Sequence, residues 1–285
     1  GDRPSGGLGQ LVNGRAEAAV EAGDRGLADG DGLFETLAVV GGQPRLWDYH
    51  MDRLLEGARR LGLPEPPLTT LREEARYLVQ GADRAVLKIV LTRGAGEGRG
   101  YRPPARPLPT RLLSLHDAPL HPPEHWDGVD VRLCRTRLAA QPALAGMKHL
   151  NRLEQVLARG EWRDPAIAEG LMLDDNGLII QGTATNAFAV QGRTLITPPL
   201  SLCGVAGVMR RYVLEQAEAL GLGVEHRGLY PEELGGVAEM FLTNSVIGLW
   251  PVRAVANRPL AVGPVTRRLQ EAVAGEALAP AGGRG

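Results

Sequence analysis

Lysine is almost missing from this chain of 285 residues. Only two of its 32 basic side chains are lysines, Lys88 and Lys148. Cysteine is as scarce. Cys134 and Cys203 lie far apart with no CxxC, which argues against a disulfide framework or a zinc site and fits a reducing compartment. No charge of one sign dominates: 32 basic against 33 acidic side chains leave a net charge of -1. Such a balance gives a polyanion little to hold, so no nucleic-acid partner is expected. No apolar run approaches the roughly 18 residues of a membrane span, so no membrane partner is expected either. The start, GDRPSGGLGQ, is polar and Gly-rich without a signal-peptide pattern, and reads as a trimmed or appended end. The tail APAGGRG reads as frayed. The expected location is the cytoplasm. There is no GxSxG, no Walker lysine and no kinase signature.

What is present is ordinary for a globular chain: 44% apolar and 23% charged residues. The length suffices for two modest domains with real cores and no metal or disulfide staples. Asn13-Gly14 between apolar residues marks a hairpin, and LFETLAVV, Gly41-Gly42 and QPRLW mark another. DYHMDRLLEGARRLGL and LTTLREEARYLVQ carry helical spacing, with Asp48 able to cap the first. AVLKIVLTR and RLLSLH read as strands on either side of a long Gly/Pro-rich loop. DAPLHPPEHWDG, with three prolines, is the candidate linker. Beyond it come a strand, VDVRLCRT, a helix near 149–161, and the strand-like runs LMLDD, GLIIQ and NAFAVQ. A Gly-rich turn then feeds the long helix of CGVAGVMRRYVLEQAEALGL, and EMFLTNSVIG is a further strand. Strands and helices mix without regular βα alternation and without repeats. The pattern predicts an α+β chain of two domains, 1–117 and 127–285, joined by 118–126.

Few residues carry candidate chemistry. His121 and His125 have the four-residue spacing of a zinc site, but Pro122 and Pro123 forbid the helix it needs, so no metal is expected. Gly94, Gly96, Gly98 and Gly100 mimic a dinucleotide loop, yet Pro103 and Pro104 replace the helix that should follow. The turn in CGVAGVMRR leaves free N–H groups at a helix start, which suits a phosphate or is a plain tight turn. Thr243, Asn244 and Ser245 end a strand with two hydroxyls and an amide, or form an ordinary polar turn. Lys148 has apolar neighbours in Met147, Leu150 and Leu153. Desolvation there would favour a neutral, nucleophilic amine.

These pieces occur in a known order: GDGLFET at 30–36, HMDRL, TRGAGEGRGY at 92–101, GMKHLNRLEQVLA at 146–158, EGLMLDDNGLIIQGTATNAF, GVAGVMR and EMFLTNSVIGLWPV. Over about residues 10–260 the chain resembles the fold-type IV pyridoxal-phosphate enzymes, the group of branched-chain and D-amino-acid aminotransferases. KHLNRLEQVLAR with the RGAGEGRGY loop is similar to the members that cleave 4-amino-4-deoxychorismate. The resemblance implies a two-domain D-amino-acid-aminotransferase-like fold, pyridoxal 5'-phosphate as cofactor, and a homodimer with active sites near domain and subunit interfaces. It implies that Lys148, in the C-terminal domain, binds the cofactor covalently and moves the proton. Arg53 would hold the phosphate with the N–H groups of Val208 and Met209 and the hydroxyl of Ser245. Arg99 and Tyr101 would touch substrate. The implied reaction yields 4-aminobenzoate and pyruvate, a step toward folate. The alternatives are an aminotransferase on the same scaffold or a cofactor-binding relative with little turnover. Two positions depart from the group's pattern. Gln181 stands where a glutamate usually pairs with the pyridine nitrogen, and Asp29 falls in a stretch that usually carries a tyrosine. An amide cannot supply the carboxylate charge that stabilises a protonated ring nitrogen.

Overall fold

In the computed structural model of the chain, residues 9–278 and 280 are described. Most of the polar start and most of the tail expected to fray lie outside them. By its internal contacts the chain divides into two units. The first holds residues 1–119 and 147–151; the second holds 120–146 and 152–285. The expected division at 118–126 therefore has an addition: a five-residue segment carrying Lys148 returns to the first unit.

The first unit is built on β1 (Gln10–Val12), α1 (Arg25–Asp29), β2 (Gly32–Val40), β3 (Gln43–Pro44), α2 (Trp47–Leu61), α3 (Leu68–Val79), β4 (Arg84–Thr92) and β5 (Thr110–Asp117). Its sheet runs β1-β5-β4-β2-β3, all antiparallel. β4 shows why the strands form. Leu87, Ile89 and Leu91 alternate along it and are buried, as period-two pleating requires. β2 and β3 make the expected hairpin, with Gly41 and Gly42 both at positive φ in the turn. The Asn13-Gly14 turn is present too, but only Arg15 pairs beyond it, so no second strand forms there. α2 lays Met51, Leu54 and Ala58 inward and ends at Gly62 with φ 68°. Asp48 is not its cap. The N-cap is Leu46, and Asp48 sits in the first turn, where a carboxylate still favours the helix dipole.

The second unit adds β6 (Val129–Leu133), α4 (Leu153–Arg159), β7 (Ile167–Leu173), β8 (Ile179–Gly182), β9 (Asn186–Gln191), β10 (Thr194–Thr197), α5 (Val208–Ala219), β11 (Gly223–His226), β12 (Glu239–Asn244), β13 (Gly248–Val255), β14 (Arg258–Pro259) and α6 (Pro264–Val273). The sheet order is β11-β10-β9-β12-β13-β6-β7-β8, and β14 pairs with β13. β8 also pairs back onto β9 at Gln181 and Asn186, so β9, β12, β13, β6, β7 and β8 close into a ring. Closure covers the free edge of β8 and pairs those two polar residues across the seam. Val131, Leu171, Leu242 and Val252 sit in its main core, and Phe188 stacks on Phe241 at 4.8 Å.

The core of the first sheet should be intolerant of lost volume. Leu87→Ala removes a side chain with no exposed area and should lower the unfolding free energy by about 2–5 kcal/mol in a urea titration.

Candidate active site

In the first unit the site begins with backbone pairing. Phe34 donates its N–H to the carbonyl of Lys148 at 3.1 Å, and Leu150 donates to Gly32 at 3.0 Å. Asn151 adds a side-chain N–H to the carbonyl of Gly30 at 2.9 Å. Residues 148–150 thus lie as a short extended piece beside the start of β2. The helix expected near 149–161 starts only at Leu153. Leu153, expected to help desolvate Lys148, is itself 73% exposed; Met147 is the buried neighbour. The ammonium of Lys148 lies 4.1 Å from the centre of the Phe34 ring, whose π face attracts a cation.

Glu35, the next residue on β2, meets α2. It is 1% exposed and takes Arg53 through Nε at 3.0 Å and Nη2 at 2.6 Å. It also faces Nδ1 of His50 at 2.7 Å. Burial alone would raise the Glu35 carboxyl, but the charge of Arg53 and the His50 hydrogen bond outweigh it and hold the pKa at about 2. Burial is also the main influence on His50. It lowers the pKa against the pull of Glu35, and the charges of Arg53 and Lys148 push the same way. Neither Glu35 nor His50 was picked out from the sequence. Two signals were available: an acid inside the apolar alternation of LFETLAVV, and His50 and Arg53 three residues apart on one helix face.

Arg99 and Tyr101 lie in the loop between β4 and β5, with both side chains exposed. Arg25 grips that loop through the carbonyls of Gly100 at 3.2 Å and Tyr101 at 2.8 Å. Asp31 braces Arg25 at 2.9 Å and Arg93 at 2.7 Å. Burial would raise the Asp31 carboxyl; the two guanidiniums overcome this and lower it. Asp29, one of the two departures, closes α1 and pairs with Arg25 at 3.6 Å.

In the second unit Gln181 and Asn186 hold one strap of backbone. Oε1 of Gln181 accepts the N–H of Val205 at 2.9 Å. Asn186 donates to the carbonyl of Val205 at 2.8 Å and accepts the N–H of Gly207 at 3.1 Å. A Cβ on Gly207 would lie 2.2 Å from Oδ1 of Asn186, so a larger residue would push that side chain off the strap. α5 starts at once with Val208 and Met209 and has no side-chain cap. Their N–H groups precede any intrahelical acceptor, at the positive end of the helix dipole. The turn after Gly182 is organised by Glu169, 4% exposed, which accepts Thr183 Oγ1, Thr185 Oγ1 and the N–H of Ala184 at 2.6, 3.0 and 3.0 Å. That buried acid was also missed in the sequence. Ser245 lies in the turn after β12. Asn244 shapes this turn by accepting the N–H of Val246 and Ile247, and ties it to the carbonyl of Ala184 at 2.9 Å. His121 and His125 instead set their rings edge-on to Trp250, at 4.9 and 4.6 Å. Among the described residues no group of three or more His, Cys, Asp or Glu could hold a metal. None of their helices is long and apolar enough to cross a membrane.

The first unit thus carries an amine and a fixed arginine, and the second a helix start suited to an anion. Residues 32–255 match the family model of class IV amino-transferases, and the chain belongs to that family. It is a family of pyridoxal-phosphate enzymes with the fold-type IV architecture expected above. Within it the chain is similar to the aminodeoxychorismate lyase of Vibrio harveyi, at 36% identity over 91% of this chain and 97% of that one. It is also similar to the crystal structure of 4-amino-4-deoxychorismate lyase from Pseudomonas aeruginosa, at 48% identity, with a TM-score of 0.89 over 94% of this chain and 98% of that one. The branched-chain amino acid aminotransferase of Escherichia coli shares the fold at 25% identity and a TM-score of 0.85, over 94% of each chain.

The Glu35 cluster sets an acid limit. The folded pKa of about 2 lies below the ordinary value of 4.5, so the stabilisation is fully present above about pH 4.5 and is lost as pH falls through 2. Glu35→Gln should flatten the stability curve between those values in urea unfolding. An unchanged acid limb would mean that Arg53 and His50 do not hold the carboxylate.

Proposed function

We propose that the chain is a pyridoxal-phosphate lyase that converts 4-amino-4-deoxychorismate to 4-aminobenzoate and pyruvate, in the branch that leads to folate. The observation that carries the reading is full-length likeness to two lyases, at 36% and 48% identity. The chemistry of the donor set fits the cofactor. Val208 and Met209 offer N–H groups at a helix start, Ser245 a hydroxyl, and Lys148 the amine. Arg53, fixed by Glu35, adds a guanidinium of set direction for the phosphate. Gln181 is the residue for the ring nitrogen.

Bound pyridoxal phosphate supplies an aldehyde that takes up amines and a ring that draws electrons from the attached carbon. Lys148 would hold the cofactor through Nζ. With substrate bound, Nζ of Lys148 would remove the proton from the substrate carbon that bears nitrogen. The carbon–oxygen bond at the neighbouring ring carbon breaks, and the ring becomes aromatic. Lys148 then returns the proton to the methylene carbon of the departing enolpyruvyl fragment, which leaves as pyruvate. No water is consumed and no electron acceptor is needed. Arg99 and Tyr101 are the proposed substrate contacts, held on the loop that Arg25 grips.

We place the protein in the cytoplasm, since both cysteines are free and buried as a reducing compartment allows. We read it as a homodimer. Leu153, Val156 and Leu157 form one face of α4 and are 73%, 61% and 62% exposed, an apolar stripe that a second copy would cover.

Freshly made aminodeoxychorismate should yield 4-aminobenzoate and pyruvate in equal amounts. Borohydride reduction followed by peptide mapping should place the cofactor on Lys148, and Lys148→Ala should abolish turnover. Label on Lys88 would overturn the assignment. For the dimer, Val156→Glu with Leu157→Glu should shift the mass in light scattering from two chains toward one.

A further inference from the structure

Gln181 is 3% exposed, and its amide can be oriented in one way only. Val205 N–H is a donor, so the atom that meets it at 2.9 Å must be the carbonyl oxygen. The NH2 end is thereby turned away from the strap, and it donates to no described group. Two neighbouring side chains are spent. Asn186 uses both ends on Val205 and Gly207, and Glu169 is filled by the turn at 183–185. Gln181 keeps an uncommitted NH2 end beside the strap that leads into α5. Val205 precedes Val208 by three residues, at most about 11 Å of extended chain. The nitrogen of a pyridoxal ring sits one atom from the carbon that bears the phosphate arm, and opposite the aldehyde. A ring whose phosphate met the first turn of α5 would have the strap, and Gln181 with it, within reach of its nitrogen.

A donor needs an acceptor. A glutamate at this position could accept Val205 N–H with one oxygen and a ring N–H with the other. The amide's one oxygen faces Val205, so the end it has left to offer is the NH2, a donor. The geometry points to Gln181 as a hydrogen-bond donor that holds the cofactor's ring nitrogen unprotonated. The inference rests on the cofactor reading above.

The test uses the whole enzyme loaded with pyridoxal phosphate carrying 15N in the ring. In the wild-type protein the resonance should lie in the range of an unprotonated, hydrogen-bonded pyridine and stay there between pH 6 and 8. Gln181→Leu removes the donor and should move it downfield, toward a pyridine with no partner. Gln181→Glu should move it upfield, into the protonated range. A protonated nitrogen in the wild type overturns the inference while the lyase reading stands. So does a resonance that neither substitution moves. A chain that takes up no pyridoxal phosphate overturns both, and the two failures are separated by the visible absorbance of the loaded protein before any spectrum is recorded.

Discussion

Two backbone hydrogen bonds fix the amine on which everything else depends. Phe34 to Lys148 and Leu150 to Gly32 bind a short extended piece of chain to the first turnless stretch of β2. Each is worth about 1 kcal/mol net, and together they hold the backbone of Lys148 beside β2. The glycines around them serve the same contact. A Cβ on Gly32 would meet the carbonyl of Leu91 at 2.5 Å, and one on Gly30 would meet Asn151 at 2.4 Å. GDG is therefore a packing requirement as much as a turn. It lets another strand and a distant segment approach one stretch of backbone from two sides.

The first unit then spends its charges on rigidity. Glu35 commits Nε and Nη2 of Arg53, so that guanidinium cannot swing freely. Asp31 does the same for Arg25 and Arg93, and through Arg25 for the loop of Arg99 and Tyr101. An arginine fork held by a carboxylate loses less entropy when it meets a ligand than a free one. The cost is a buried carboxylate that must stay charged, and the low pKa of Glu35 shows that its partners meet that cost.

Much of this was legible in residue patterns, and the failures share a cause. Strands such as β4 and hairpins such as 32–44 follow from local alternation and from glycines with positive φ. Motif residues stood out because Lys148 has a single lysine for company and because CGVAGVMRR reads as a helix start. What stayed hidden needed tertiary partners. KHLN carries no strand signal; pairing with β2 overrides its helical surroundings. Glu35 and Glu169 look like ordinary strand acids until Arg53 and the 183–185 turn arrive. β13 is obscured by Pro251, a residue that argues against a central strand, and α6 was not among the expected elements.

The same reasoning bears on why an amide is tolerable at Gln181. A charged ring nitrogen matters most when electron density must rest in the ring. In amine transfer it rests there until a proton arrives at the cofactor carbon. In the proposed elimination the electrons continue outward. They leave with the carbon–oxygen bond, and aromatisation makes their return unfavourable. The ring then needs to share density only briefly, which a hydrogen-bonded neutral pyridine can do. An unprotonated nitrogen therefore costs the lyase little and an aminotransferase much. On this proposal Gln181, with its oxygen turned to Val205, would bias one scaffold toward elimination without altering a residue around Lys148.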